Sequence, residues 1–321
     1  MKHYESFQKK NKLQELWLKL NDVKAYKQYK FILKEYRKAV KLNKFVNDGH
    51  ALDINKIIEI ADKTTSLNFI HSGNAGDIVY ALPTIKKIWQ LVQKPVNLYL
   101  KLEQPHNLAL HFKHPLGSVM LNERMAQMLL PLLSSQTYIN ICEIYSDQRI
   151  DIDLDQIRRA GLMLDRGSIA RWYGYIFGIN ADLYKSWLEV KPNLNYSDTI
   201  IIARSQRYRS PFVDYSFLRN YSNLVFVGVK AEFEEMKLEI PNIRYFEATD
   251  FLQLAEIIAG CKFFIGNQSF PFSIAEGLKV PRILETFFDT PNVIPEGENS
   301  YDFYFQEHFE TLVKLISTKS K

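Results

Sequence analysis

The pattern of apolar and polar positions divides the chain into a helical N-terminal part and a longer part in which strands and helices alternate. In the first 62 residues apolar side chains recur at helical spacing with lysines between them. Asn47-Asp48-Gly49 interrupts this pattern. The predicted helices cover about 13–23, 29–40 and 53–61. We therefore expect residues 1–62 to form a helical extension.

Beyond residue 66, short apolar runs alternate with amphipathic stretches, which is the order of a parallel sheet with crossover helices. The first group of strands is predicted at 67–71, 96–100, 138–144, 150–154 and 187–190, with helices at 77–91, 123–133 and 168–178. The second group is predicted at 199–203, 224–227, 243–246, 263–265 and 282–284, with helices at 251–259, 272–278 and 301–317. The polar stretch 191–198 is the predicted linker between them.

Composition narrows the class of protein. A chain of 321 residues with 46% hydrophobic and 24% charged residues is typical of a globular protein with two domains. No apolar run approaches the ~20 residues that span a bilayer, and the polar N-terminus lacks the apolar core of a signal peptide. Cys142 and Cys261 are isolated and form neither a disulfide framework nor a zinc motif. We expect a cytoplasmic protein.

Positive charge is concentrated at the N-terminus. Residues 1–48 contain thirteen Lys and Arg and five Asp and Glu, a net charge of +8, whereas the whole chain carries +5. This segment either holds the protein near an anionic membrane or glycan, or packs on the protein body with solvated lysines. We favour packing, because the apolar stripe needs cover; its residues are Leu13, Leu16, Trp17 and Leu20. A nucleic-acid partner is not expected.

The stretch from 261 to 281 predicts a strand, a tight turn and a helix. The apolar run Phe263–Ile265 is a buried strand, and Ser269 and Pro271 favour the start of a helix. Backbone N–H groups at such a turn bind phosphate or another anion. The carboxyl edge of a parallel sheet is also where open α/β folds bind ligands. The turn itself consists of Gly266, Asn267, Gln268 and Ser269.

A second tight loop joins the first predicted strand to its helix. It contains Gly73, Asn74 and Gly76, and it lacks the Gly-Lys-Ser/Thr of a Walker A loop and the Gly-x-Gly-x-x-Gly of dinucleotide sites. Its glycines let the backbone approach a substrate. Asp77 follows at the helix start, where a carboxylate either stabilises the helix electrostatically or accepts a proton from an attacking hydroxyl.

These two stretches resemble the heptosyltransferase-like family of glycosyltransferases. The family's opening, Gly-Asp followed by apolar residues and Leu-Pro, is matched by residues 76–83. Its Gly-Asn-Asp-Ser-Gly-Pro turn, with a later Ala and a Val-Pro pair, is matched at Gly266, Asn267, Ser269, Pro271, Ala275 and Val280-Pro281. Three positions depart from that pattern: Gln268, Phe270 and Ser273, the last in place of a His.

The resemblance implies an α/β fold of two facing Rossmann-like domains, the GT-B architecture. We expect these domains at 67–192 and 199–292, with a helix in 293–321 that packs back on the first domain. The implied partners are a nucleotide sugar and a glycan or lipid-linked acceptor. Asp77 would be the catalytic base, beside the acceptor-side loop, and no metal or other cofactor would take part.

The resemblance also assigns donor-binding residues. The loop after strand 199–203 would hold the diphosphate, because arginine grips phosphate oxygens with a rigid fork of donors; its residues are Arg204, Ser205, Arg207 and Arg209. The alternative is a solvated basic loop. Gly228 would let the base and ribose pack. Glu276 would bind the ribose hydroxyls, as in other GT-B transferases, or else be a surface residue of its helix.

The leading hypothesis is an inverting, metal-independent glycosyltransferase. One alternative is a nucleotide-sugar epimerase of the same fold. Another is a non-catalytic protein that binds a glycan or a partner, which the departures at Gln268 and Ser273 favour. A metal site is not expected at His106, His111 and His114, since no cysteine or acidic cluster accompanies them.

Overall fold

The computed structural model describes residues 7–47, 53–106 and 117–318, and it begins with three helices. They are α1 (Lys12–Asn21), α2 (Val23–Asn47) and α3 (Ile54–Asp62). Asn11 caps α1 in a capping box with Gln14, and the Asp53 side chain accepts from Lys56 N–H at the start of α3. The helical extension predicted from the sequence is therefore present.

The first sheet has four parallel strands in the order β3-β2-β1-β4. Its strands are β1 (Leu67–His71), β2 (Val96–Leu100), β3 (Ile141–Ile144) and β4 (Ile152–Asp153). Its helices are α4 (Ala75–Val92), α5 (Glu123–Ser134), α6 (Gln156–Arg159) and α7 (Ile169–Ile176). Every residue of β2 is buried, as expected for a parallel strand covered on both faces.

The second sheet has six parallel strands in the order β10-β9-β8-β5-β6-β7. Its strands are β5 (Ile200–Ala203), β6 (Leu224–Val227), β7 (Arg244–Phe246), β8 (Phe263–Asn267), β9 (Arg282–Glu285) and β10 (Ser300–Phe303). Its helices are α8 (Lys230–Glu239), α9 (Phe251–Gly260), α10 (Phe270–Leu278) and α11 (Gln306–Thr318). Short 3-10 turns cover Leu194–Tyr196, Gln206–Tyr208 and Ser216–Asn220. The predicted α/β class is confirmed.

The apolar core joins the two sheets. One buried cluster includes Phe69 and Leu98 of the first sheet together with Ile201 and Phe264 of the second. Helix α10 packs on α4, and α9 packs on α5. A second cluster covers the other face of the second sheet and includes Phe309 of α11. The expectation that the last helix returns to the first domain is therefore wrong.

Three local predictions are also wrong. Residues 187–190 form no strand, because the N–H groups of Trp187 and Leu188 both donate to the carbonyl of Gly277. Gly266 and Asn267 continue β8 and do not end it, since the strand extends beside β5. Residues 300–303 form β10, which pairs with β9, and not the start of a helix.

The N-terminal hairpin, residues 7–47, packs on the body through α2. Phe45 is 4% exposed and belongs to the core cluster that joins the sheets. The apolar stripe of α1 is uncovered: Leu13, Leu16, Trp17 and Leu20 are 77%, 52%, 63% and 74% exposed. The expectation that the stripe packs on the body is wrong, because α1 lies against α2 with its opposite side.

Among the described residues, no helix is both long enough and apolar enough to cross a membrane.

Candidate functional site

A cavity of about 600 Å³ lies where the two halves of the molecule meet. The carboxyl ends of β5, β6 and β7 and the first turn of α10 form one side, and α5 forms the other. This is the edge at which open parallel sheets bind ligands. The volume is that of sites for ligands of nucleotide size.

The cavity combines apolar walls with a few charges. Met125, Met128 and Phe246 are among its apolar lining residues, and Arg124 and Lys230 are cations. Such a lining suits a flat aromatic base next to an anion.

One cavity carboxylate is held by the donor loop predicted from the sequence. Glu232 accepts a hydrogen bond of 3.0 Å from the backbone N–H of Gln206. Burial raises the pKa of Glu232, and that N–H bond opposes the rise. Gly228 lines the cavity; its φ of 144° suits glycine, and an added Cβ would lie 3.1 Å from the Phe226 ring.

The start of α10 offers few donors to an anion. Ser269 is the N-cap, but its side chain makes no capping bond, and Pro271 has no N–H. The N–H of Phe272 donates to the carbonyl of Ser269 at 3.1 Å. The N–H of Phe270, at the first helical position, is engaged by no described residue. Ser269, Phe270 and Pro271 all line the cavity.

Arg204 lines the cavity, and its Nε and Nη2 donors are already engaged. Its Nε and Nη2 form a buried ion pair with Glu285 at 2.8 and 3.1 Å. Nη2 also donates to the carbonyls of Ser210 and Val213, and the guanidinium lies over the Tyr215 ring. Through these bonds the buried Arg204 side chain holds the loop in place.

The other two arginines of this loop differ from each other. Arg209 donates to Glu235 at 2.8 Å and is thereby held against α8. Arg207 makes no ion pair with a described carboxylate, and its guanidinium lies 4.8 Å from the Tyr208 ring centroid. Arg207 is therefore the arginine of this loop whose charge an anionic ligand can use.

Asn267 connects the two donor-side loops. Its side chain accepts from Ser205 N–H at 3.0 Å and donates to the Ser205 carbonyl at 2.7 Å. Gly266 is needed for the close approach of β8 to β5, since a Cβ would lie 2.8 Å from the carbonyl oxygen of Ala203. Both residues thus shape the cavity edge without lining it.

Gln268 and Glu276 are engaged elsewhere. Gln268 donates to the Thr290 carbonyl and the Asn292 side chain, and it accepts from Phe287 N–H, so it anchors the loop after β9. Glu276 is buried among Arg282, Lys279 and the N–H of Glu296. It is not one of the residues that line the cavity.

Asp77 stands in the first turn of α4, on the acceptor-side loop. Its Oδ2 accepts from Arg158 Nη2 at 2.7 Å, and Asn74 Nδ2 lies 3.4 Å from the same oxygen. No described residue donates to Oδ1. Asn74 also has an unpartnered buried Oδ1. The ion pair thus fixes the carboxylate while leaving one oxygen available.

A buried network holds Arg158 in place. Arg158 also pairs with Asp155, whose carboxylate accepts from Ser72 Oγ at 2.5 Å. His71 Nδ1 accepts a hydrogen bond from Gly73 N–H, so the proton of the neutral ring is on Nε2. Nε2 donates it to the Tyr173 hydroxyl at 2.6 Å. Burial, with Arg158 adding to it, lowers the pKa of His71 to about 3. This histidine is structural and neutral.

The two predicted halves of the site meet at the first turns of α4 and α10. A Cβ on Gly76 would lie 3.9 Å from the Cα of Phe270, which lines the cavity. Burial raises the pKa of Tyr208, Arg207 opposes the rise, and the Asp77 carboxylate adds to it. The first turn of α4, which carries Asp77, therefore lies beside residues that line the cavity.

Sequence reasoning missed several residues of this region. Arg158 lies in a four-residue helix with no motif, and nothing in the sequence connects it to Asp77. The α5 residues of the cavity, Arg124, Met125 and Met128, approach only through the packing of the two halves. Phe246 could have been found, because it ends a strand of the second sheet.

No group of three or more His, Cys, Asp or Glu that could hold a metal ion occurs within the described ranges. Of the three histidines considered above, His111 and His114 lie outside the described residues.

The chain has the fold of known glycosyltransferases. A glycosyltransferase of family 9 from Veillonella parvula is 10% identical, with 80% of this chain and 90% of that chain covered at a TM-score of 0.50. Escherichia coli ADP-heptose lipopolysaccharide heptosyltransferase II is 12% identical, with 78% and 98% covered at a TM-score of 0.53. The resemblance to heptosyltransferases and the expected GT-B fold are thereby confirmed at the level of fold.

A third structure is less similar. The UDP-GlcNAc 2-epimerase from Methanocaldococcus jannaschii is 12% identical, with 79% of this chain and 93% of that chain covered at a TM-score of 0.39. At that score the likeness carries no argument for an epimerase. No protein-family model matches the chain, and no curated protein matches its sequence.

Proposed function

We propose that this protein is an inverting, metal-independent glycosyltransferase that moves a sugar from a nucleotide-sugar donor to a hydroxyl of a glycan or lipid-linked acceptor. The observation that carries the proposal is the contact between the α4 and α10 first turns. It brings a carboxylate with a free oxygen beside the mouth of a nucleotide-sized cavity. The shared fold supports the same activity.

The donor nucleotide would occupy the cavity. The base would lie among Met125, Met128 and Phe246, and the ribose near Glu232. The diphosphate would face the N–H of Phe270 and the Arg207 guanidinium, which have no competing anionic partner among described residues. Arg204 and Asn267 would act indirectly, by holding the loop.

Asp77 would be the general base. Its Oδ1 would take the proton of the acceptor hydroxyl as that oxygen attacks the anomeric carbon. The new C–O bond forms while the bond from the anomeric carbon to the diphosphate oxygen breaks, and the electron pair leaves with the nucleoside diphosphate. Attack from the side opposite the leaving group inverts the anomeric configuration.

Charge on the leaving diphosphate would be met by protein groups. Arg207 supplies a cation, and the α10 N-terminus supplies an N–H and the positive end of the helix dipole. We also propose that the protein works in the cytoplasm, where the thiols of Cys142 and Cys261, which form no disulfide with a described residue, stay reduced.

The test is turnover of a panel of nucleotide sugars by wild-type protein and by Asp77→Asn. We expect the variant to bind nucleoside diphosphate as wild type does and to lose ~10²–10⁴ in kcat, the usual loss of a general base. Asp182→Asn, at a surface ion pair with Lys87, is the matched control and should turn over normally. Equal rates for Asp77→Asn and wild type would refute the assignment. Conversion of the donor to its epimer without transfer would favour the epimerase.

Dependence on metal is tested separately. Because Arg207 and the helix start are proposed to stabilise the leaving group, activity should survive a chelator. Full loss of activity in EDTA, restored by one divalent ion, would contradict the metal-free mechanism. It would not contradict the assignment as a glycosyltransferase.

A further inference from the structure

The N-terminal hairpin carries two surfaces that the proposed reaction does not use. The first is the apolar stripe on α1, formed by Leu13, Leu16, Trp17 and Leu20. The second is a cationic groove of about 570 Å³ against α2. It is lined by Lys30, Leu33, Lys34, Arg37, Lys38, Lys41 and Gly161.

The apolar stripe faces away from the protein. No residue of α1 is buried, and all four stripe residues are more than half exposed. The side of α1 that faces α2 is the opposite one: Glu15 pairs with Lys30 at 2.8 Å, and Leu18 is half-buried. A contiguous exposed row that includes tryptophan and three leucines is unusual for a surface in water and marks an interaction site.

The cationic groove lies on a single face of α2. Its cations follow one another at helical spacings of three and four residues, which aligns their side chains. Lys30 and Lys38 pair with Glu15 and Glu35.

The remaining groove cations, Lys34, Arg37 and Lys41, form no ion pair with a described carboxylate. Leu33, 2% exposed, lies in the groove, and the Lys41 stem packs on Gly161. The groove is therefore a built concentration of positive charge.

We propose that the hairpin docks the protein on an anionic lipid bilayer. The stripe would enter the boundary between headgroups and acyl chains, as an interfacial amphipathic helix does, with Trp17 at the level of the headgroups. The cationic groove would take headgroup phosphates, to which each basic residue near the surface adds attraction.

Other occupants fit less well. A nucleic acid would use the cations but not the exposed leucines. A second copy of the chain would bring two segments of +8 charge together, which like-charge repulsion opposes. An anionic bilayer offers an apolar boundary to the stripe and phosphates to the cationic groove.

Docking would also place the proposed base near the membrane. Gly161, in the groove wall, follows Arg158 by three residues, which span at most about 11 Å, and Arg158 holds Asp77. A lipid-linked acceptor would then reach the site from the membrane. This corollary rests on the proposed function, whereas docking itself does not.

The test is co-sedimentation of the full chain with vesicles, either of phosphatidylcholine alone or of equal parts phosphatidylcholine and phosphatidylglycerol. We expect binding to the anionic vesicles only, weakening as salt is added. The triple variant Lys34→Gln/Arg37→Gln/Lys41→Gln should lose on the order of 100-fold in affinity, about fivefold for each charge. Leu16→Ser/Trp17→Ser should also lose binding.

Matched controls use exposed residues elsewhere. Lys63→Gln/Lys191→Gln/Lys314→Gln removes the same charge, and Leu194→Ser/Leu238→Ser removes leucines that are 69% and 85% exposed. Both controls should bind anionic vesicles as wild type does, and all variants should keep the wild-type melting temperature. Since sedimentation needs no turnover, it is independent of the proposed reaction.

Three outcomes would overturn the proposal. The first is no binding of wild-type protein to anionic vesicles. The second is a loss no larger for the hairpin variants than for their controls. The third is a concentration-dependent dimer in analytical ultracentrifugation that Leu16→Ser/Trp17→Ser abolishes, without vesicle binding by wild type.

Discussion

At the scale of single residues, the position of the Asp77 carboxylate depends on a network of partly or fully buried groups. Arg158 orients its carboxylate, and Arg158 is held in turn by Asp155 beside the buried His71. A neutral imidazole there avoids a further positive charge next to Arg158. The network therefore has a pH limit of its own.

That limit can be measured. The folded pKa of His71 is lowered to about 3 from 6.5, so between those values the unfolded chain binds a proton that the folded protein does not. Stability present above pH 6.5 should be lost on acidification, by up to about 1.4 kcal/mol per pH unit. Urea unfolding at several pH values should give a free energy of unfolding that falls less steeply with acidification for His71→Gln than for wild type. His308→Gln, at an exposed site, should keep the wild-type slope.

Gly73 is the second residue on which this network depends. An added Cβ would lie 1.9 Å from Arg158 Nη2 and 2.6 Å from the His71 ring. Gly73→Ala should therefore displace Arg158 and cost about 1–3 kcal/mol, the usual penalty of overpacking. Gly76→Ala is the control, since its Cβ would meet nothing closer than 3.9 Å. Equal melting temperatures for the two variants would show that the loop adapts freely.

At the scale of elements, the arginines of the loop from 204 to 209 differ in their partners: Arg204 and Arg209 pair with carboxylates, and Arg207 pairs with no described carboxylate. We expect Arg207→Ala to weaken nucleoside diphosphate binding by about 1–3 kcal/mol, the worth of a charge-assisted hydrogen bond, with little change in stability. Arg219→Ala, at an exposed arginine in a neighbouring 3-10 turn, should bind normally. Calorimetric titration measures both; unchanged affinity for Arg207→Ala would remove it from the site.

Arg204→Ala should act differently. It would leave the Glu285 carboxylate buried without its cation, and breaking such a pair costs about 3–5 kcal/mol of folding stability. Thermal unfolding without ligand detects this loss. If the variant has normal stability but binds nucleotide poorly, Arg204 binds the ligand directly, as expected from its position in the sequence.

The elements also show what the sequence could and could not reveal. The first and last residues of β1, β2 and β6 could be predicted from their apolar runs, because parallel strands buried on both faces contain few polar residues. Gly266 and Asn267 were misjudged, since glycine there serves close strand approach and not a turn. The Asp77–Arg158 pair spans 81 residues, and no local pattern predicts such a contact. The domain boundaries and the roles of the donor residues remain predictions.

At the scale of the whole molecule, α2 attaches the hairpin to the core through Phe45, whereas the apolar stripe of α1 is exposed. Phe45 is 4% exposed and lies within the core, so changing it to Ala should lower the free energy of unfolding by about 3–5 kcal/mol. Trp17→Ala, at a side chain 63% exposed, should change stability by less than about 0.5 kcal/mol. Guanidinium unfolding compares them. A large loss for Trp17→Ala would show that α1 is covered after all.

The apolar cluster shared by the two sheets has a thermodynamic consequence. Neither half can separate without uncovering the buried faces where α10 packs on α4 and α9 packs on α5. Calorimetry should therefore record one heat-absorption peak, with equal van't Hoff and calorimetric enthalpies. A nucleotide held by the second sheet would then protect the first as well, by about 2.7 kcal/mol at a ligand concentration of 100 Kd. Amide hydrogens of β1 and β2, which do not line the cavity, would exchange more slowly with deuterium when the cavity is filled.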